Sequence, residues 1–392
     1  MDVGNIFFRS FGVFFLVFAA HPAFGAAQKP ASAQPSSANE RAVQKPALPA
    51  KKSAPARKKA RPDIKFSPSN PYEDGETDFS ASKNPIDAAV ADHLKSRGLK
   101  PAKRCSDAVF IRRATLDIAG RIPTAEEVEK FLDDRSPRKR EVLVDSLLAS
   151  EDFVEYMSLR LGDILRIKAE FPINLWPNAA QAYTRFVRKS LSDGSGWDDM
   201  AKKMLSSSGS NFRVGEVNFM RAMQSRTPES VASCAALTFM CARFDKIPEE
   251  RRKAFASFFS RVGYKPTKEW KEEIVFDDPA RRAPFVGVFP DGTAASFPAG
   301  VSPRAAFADW LARKGNPYFA KAFANRMWAW FFGSPIVSPV DDMFFSQNPP
   351  VSARLLDVLA SRFERSNFDI RTLARLIATS AAYSQSFIPD PS

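Results

Sequence analysis

A chain of 392 residues with 44% hydrophobic content has enough apolar side chain for a sizeable core, and its length is a soft argument for two domains. Its formal charge of +13 is uneven: residues 26–62 hold nine Lys or Arg against one Glu, so the remainder is only mildly basic. Of two histidines, one is His21 near the start, which excludes a multi-histidine zinc site and leaves a Ser-His-Asp triad only His93 to use.

Residues 1–25 read as a secretory signal. Arg9 precedes an apolar run, "FGVFFLVFAA", and small residues in "AFG" follow Pro22 at a cleavage-like site. The run is about half the length that a membrane span needs, so membrane attachment is expected only if this segment is retained. The reading implies export to the periplasm, the cell envelope or the outside. Residues 26–83, rich in Pro, Ala and Lys at their start, are expected to be a disordered basic tether able to attract an anionic surface. No nucleic-acid motif accompanies it. Three cysteines follow: Cys105, Cys234 and Cys241. On one helix, Cys234 and Cys241 would be about 10.5 Å apart along the axis, too far to bridge.

From residue 84 the pattern is helical, with explicit start signals. "NPIDAAVADHLKSRG" offers Asn84 as N-cap, Pro85 at the first position and Gly98 as the stop. "TAEEVEKFL" places Thr124 and Glu127 as a capping box. Further helices are expected from Ser136-Pro137, from Thr227-Pro228, and across "EERRKAFASFFSRVG", closing on Gly263. Residues 264–301 change texture: "EEIVF", "FVGVF" and "PDGT" read as short strands and turns. Helices resume at "SPRAAFADWLARKG" and run through "NPYFAKAFANRMWAWFFG", Leu355–Phe363 and Leu373–Ala382. The predicted fold is mainly α: helical domains over 84–263 and 302–387, forming two lobes joined by the partly extended 264–301 segment. The 35 Phe, against 6 Tyr and 6 Trp, are expected to fill the core.

The block "FIRRATLDIAGRIPTAEEVEKFL", with Arg112, Arg113 and Asp117, resembles the opening signature of the bacterial domain of unknown function 1549, found in planctomycete-type exported proteins. The partner domain, 1553, is resembled in order by "FADWLARKGNPYFAKAFANRMWAWFFG" (Asn325, Arg326, Trp328), "VSPVDDMFFSQNPPVSARLLDVLA" (Asp341, Asp342, Asn348) and "FDIRTLARLIATSAAYSQS". Many relatives carry a C-x-x-C-H run where this chain has "FMCARFDK", residues 239–246; only Cys241 matches it. One thiol without a histidine holds neither a covalent haem nor a soft metal. No cofactor is therefore expected, with Ca²⁺ left open. A role as accessory subunit of a cytochrome-type redox complex would need the cofactor from another subunit.

Three groups of polar residues remain. "PTKEWKEEIVFDD" gathers Glu269, Glu272, Glu273, Asp277 and Asp278 around Trp270, with Trp176 as the alternative aromatic for a shared pocket. Two carboxylates beside an aromatic wall suit acid–base chemistry on a glycoside or oxygen ligation of Ca²⁺. Strand alternation would put Glu272 and Glu273 on opposite faces, and charged surface is the competing reading. Asp341 and Asp342 are the other candidate acids, with Arg326 placed to reach one of them in a structural ion pair; Arg112, Arg113 and Asp117 are expected to do the same in the first helical domain. The loop "SSSGSNFRVGEVNF" offers Asn211, Arg213 and Asn218 as ligand contacts. The expected function is an exported, non-enzymatic binding or structural module for an envelope or extracellular polysaccharide or a partner protein. A carboxylate-dependent carbohydrate-active enzyme is the alternative.

Overall fold

The computed structural model describes residues 72–386, apart from Ser346. The expected signal and most of the expected tether lie outside them. The last part of that tether is ordered: β1 (Tyr72–Glu76) adds antiparallel to a later strand, and Thr77 donates through both its amide and its hydroxyl to Ala102 O. These residues have a strand partner, which composition alone does not reveal.

α1 (Pro85–Ser96) starts where Asn84 accepts from the Ile86 amide. Then come β2 (Lys103–Cys105), which pairs with β1, and α2 (Asp107–Ala119), stopped by Gly120 in the left-handed conformation. α3 (Ala125–Asp133) begins with the full Thr124–Glu127 capping box, and α4 (Lys139–Leu148) follows a turn that absorbs Ser136-Pro137. α5 (Glu151–Ile164), α6 (Pro177–Ser192) and α7 (Trp197–Ser206) complete the first helical layer.

β3 (Gly209–Ser210) and a 3-10 helix, Gly215–Met220, lead to α8 (Pro228–Met240), capped by Thr227. α9 (Glu249–Ser257) ends before the expected Gly263, which belongs instead to β4 (Val262–Pro266). The reason is local. Gly263 faces the Phe276 ring across the strand pair, and a Cβ there would come within 2.8 Å of it. β5 (Glu273–Asp277) pairs antiparallel with β4 on one side and β3 on the other, registering Val275 against Tyr264 and Gly209. β6 (Phe285–Val288) and β7 (Ala294–Phe297) form a separate hairpin. α10 (Pro303–Ala312), α11 (Phe319–Phe332), α12 (Ala353–Arg365) and α13 (Ile370–Ala378) close the chain. The fold is mainly α, with its short strands concentrated between residues 262 and 297.

The core crosses the boundary between the two helical segments. Trp197 of α7, 1% exposed, meets Phe239 of α8 and Phe319 and Phe323 of α11 with ring centres 5.0–6.5 Å apart. A second aromatic group joins Phe255 and Phe258 to Phe307 of α10, and Phe289 stacks on Trp310 at 5.0 Å. Burying rings of this size is worth roughly 1.5–3 kcal/mol each, so these clusters contribute much of the drive to fold. Among the described residues no helix is long and apolar enough to cross a membrane.

Cys241 ends α8. It adopts a left-handed backbone (φ 46°), its amide returns to Ala236 O, and its thiol, wholly buried, lies 3.6 Å from Ala322 O. Burial pushes that thiol's pKa up to about 12, so it stays protonated and unreactive. Cys234 and Cys241 are not bridged.

Candidate functional site

Two fully buried asparagines organise the surface around β5. Asn211 clasps the strand: its amide donates to Glu273 O (2.9 Å) and its Oδ1 accepts from the Glu273 amide (2.8 Å). Asn218, on the 3-10 helix, donates through Nδ2 to Asn211 O (2.7 Å), Gly215 O (3.1 Å) and Ala179 O (3.3 Å). Its Oδ1 accepts from Arg221 Nη1 (3.2 Å). Both asparagines were expected to contact ligand; at 0% exposure they act instead as supports for those that can. The 3-10 helix comes close to α6 because residue 215 is glycine: a Cβ there would sit 2.2 Å from Ala182 O.

Arg221 and Arg226 converge on Glu273. Arg221, 4% exposed, donates from Nε to Oε2 (2.9 Å), and Arg226 Nη1 reaches both carboxylate oxygens (2.9 and 2.8 Å). Burial alone would raise the Glu273 pKa; the hydrogen bond and charge of Arg226, with the charge of Arg221, outweigh it and hold the carboxyl below its ordinary value. Glu272 is held low chiefly by hydrogen bonds from the Ser210 and Thr267 hydroxyls, with a smaller contribution from the charge of Arg213, 3.5 Å away. Alternation had placed Glu272 and Glu273 on opposite faces. Both reach the same cleft because β5 starts only at Glu273, and Glu272 lies in the turn set up by Lys271 at φ 62°.

That turn forms one wall of a cleft of about 690 Å³, which Trp176, Trp270, Lys271, Glu272 and Glu273 line together. The volume lies within the range of small-molecule sites, roughly 300–1,000 Å³. Trp270 is 75% exposed and Trp176 40%, with ring centres 6.4 Å apart and planes at 73°, so the two indoles make a corner. Lys271 Nζ lies in that corner, 5.2 Å from the Trp176 ring centre and 4.8 Å from that of Trp270. Three lining residues other than glycine have positive φ: Asn174 (φ 51°), Trp176 (φ 66°) and Lys271 (φ 62°). For a residue as bulky as Trp this conformation costs on the order of 1–3 kcal/mol, and such strain concentrates where a side chain must be aimed.

The other candidate acids lie elsewhere. Asp277 pairs with the fully buried Arg304 (2.6 Å), which also donates to Ser207 O and Ser208 Oγ, and Asp278 caps the Ala280 amide. Asp341 accepts from Arg326 Nη2 (2.5 Å) and Nε (3.2 Å), while the same guanidinium donates to Leu237 O and Thr238 O at the end of α8. Asp342 accepts from Asn348 Nδ2. Asn325 is buried and ties Ile336 and Val337 back onto α11, and Trp328 stacks on Phe332. Arg113 and Asp117 do not pair directly; both meet on Tyr383. Arg113 Nη1 donates to Tyr383 O and Gln385 O and its guanidinium lies 4.5 Å from the Tyr383 ring centre, while Asp117 accepts from the Tyr383 hydroxyl at 2.6 Å. Arg112 is exposed and Arg213 stands behind Glu272, 76% exposed along its side chain. Among the described residues no group of three or more His, Cys, Asp or Glu is placed to hold a metal ion.

Sequence reasoning picked out Trp270, Trp176 and the glutamates but missed Arg221, Arg226 and Lys271. The available signal was "KEWKEE", where Lys268 and Lys271 flank Trp270, and the pair of arginines in "FMRAMQSR". Neither motif shows by itself that it faces the other.

Comparison with known proteins finds two family models that match the chain in order. Residues 85–264 match the family model PSCyt2, a protein of unknown function (DUF1549), and residues 303–392 match PSD1, a protein of unknown function (DUF1553). No curated protein and no solved structure matches. With both models matched in order, and with the motif blocks at Arg112–Asp117 and Asn325–Trp328 inside them, the chain belongs to the family that pairs DUF1549 with DUF1553.

Proposed function

We propose that this protein is an exported binding module of a cell-envelope or extracellular polysaccharide system, and that it holds saccharide in the Trp176–Trp270 cleft. One observation carries the reading: two exposed indoles form a corner, with positive φ at Asn174, Trp176 and Lys271 around it. Flat aromatic faces suit the apolar faces of sugar rings, and the polar lining suits their hydroxyls. Glycoside hydrolysis by two carboxylates needs one of them protonated. The partners of Glu272 and Glu273 favour the ionised form of both, which supports binding over hydrolysis. The basic segment 26–62 would add salt-sensitive attraction to an anionic surface.

The test is titration of a panel of soluble oligosaccharides, followed by tryptophan fluorescence and calorimetry. A bound oligosaccharide should lose affinity by about tenfold or more in Trp270→Ala, as expected for an aromatic anchor. Unchanged affinity in that variant would remove the cleft from the proposal. Oligosaccharide fragments accumulating with time would favour the enzyme instead.

A further inference from the structure

The charges in the cleft are unevenly engaged. Glu273 is matched by Arg221 and Arg226, and Glu272 by Ser210, Thr267 and Arg213. The Lys271 ammonium, by contrast, makes no hydrogen bond or ion pair among the described residues; it has only the faces of Trp176 and Trp270, while the Lys271 carbonyl accepts from Asn211 Nδ2. Lys268 and Glu269 are exposed on the same wall, beside Glu272 and Glu273 with their own partners. A lysine held over two aromatic faces is a cation aimed at whatever stacks on those faces. An ammonium whose only contacts are aromatic gains most from a ligand that brings an oxyanion.

Resting on the saccharide reading above, we propose that the cleft selects an acidic sugar, with Lys271 as the specificity residue that receives its carboxylate or sulfate group. The neutral part of the ring stacks on Trp270 or Trp176, and the anionic substituent takes the ammonium from the aromatic corner. Arg226, already paired with Glu273, lends positive potential without giving up its partner.

The experiment uses the full chain with three oligosaccharides of equal length: a uronate oligomer, a sulfated galactose oligomer and a neutral oligomer. Binding is followed by tryptophan fluorescence and calorimetry at low and moderate salt. At least one anionic oligomer should bind about tenfold tighter than the neutral one, as a charge-assisted contact allows. Lys271→Gln should erase that preference, bringing the ratio of anionic to neutral affinity to about one, and Lys271→Arg should keep most of it. The basic segment 26–62 is common to all variants, so only the part that depends on Lys271 counts. The uronate and sulfate arms separate the two kinds of anion. Equal affinities for anionic and neutral oligomers, or a preference that survives Lys271→Gln, would overturn this inference and leave the saccharide reading standing. No binding in any arm would overturn the saccharide reading itself.

Discussion

Asn218 donates to carbonyls from three segments, Ala179, Asn211 and Gly215, and accepts from Arg221, so one amide fixes the far side of the cleft wall. Removing it takes a bond from Asn211 O, which lies outside any helix, and from one guanidinium nitrogen, and each such buried group carries a desolvation cost. Asn218→Ala should therefore lose roughly 2–3 kcal/mol of unfolding free energy, read from urea midpoints. A loss below about 0.5 kcal/mol would show that water had taken the amide's place and that the clamp argument fails. The polarity of residues 206–219 was legible in the sequence, but its direction was not. An asparagine spelled in a loop reads the same whether it faces water or three carbonyls; only the packing of α6 against the 3-10 helix turns it inward. The same limit applies to Arg113 and Asp117. Their spacing suggested a pair on one helix, yet Tyr383, distant in sequence, lies between them and gives each a better partner.

Helix starts were the most legible feature, because a cap is written within four residues. The box at Thr124 and Glu127 forms as spelled. The structure adds Arg121, which grips Glu127 with two nitrogens (2.8 and 2.7 Å) and Asp152 of α5 with a third (2.6 Å), so the cap of α3 is tied to another helix. The Arg121 hydrogen bond is the main reason that the Glu127 pKa falls from 4.5 to about 2. A carboxyl whose folded pKa lies below its unfolded one contributes stability that is fully present above the unfolded value, and this is lost as pH falls through the folded value. In this protein the window runs from pH 4.5 down to about 2. Arg121→Gln should flatten the loss of thermal stability across that window. At neutral pH it should cost under about 1 kcal/mol, since both side chains are partly exposed. Parallel pH profiles for the two proteins would refute the assignment. Helix ends were less legible. α9 stops at Ser257 and α13 at Ala378, earlier than periodicity alone suggests, because strand pairing at Gly263 and hydrogen bonds to Asp87 take over.

The arrangement of the whole molecule was the least legible, since it depends on contacts between residues far apart in the chain. The mainly α character followed from period and caps, but the engagement of α1 with residues 376–382 had no local sign. Asp87, completely buried on α1, accepts from the Ala381 and Ala382 amides at 2.9 Å, and Asn84 donates to Leu376 O. Cys105 N donates to Ser384 O, and Ser386 N donates to Lys103 O. A chain cut after Thr379 would leave the buried Asp87 carboxylate with only the Ser82 hydroxyl among the described residues, and take away the Tyr383 ring that Arg113 and Asp117 share. It should give no cooperative thermal transition in near-ultraviolet circular dichroism, and a melt like that of the full chain would disprove the dependence. The Asp87–Ala381 bond spans 294 residues of chain. A polypeptide made amino end first thus carries α1 without this partner until 294 further residues have been added. Closure around the buried Asp87 carboxylate is therefore a late event, which follows the making of α13 and cannot be guided by local contacts.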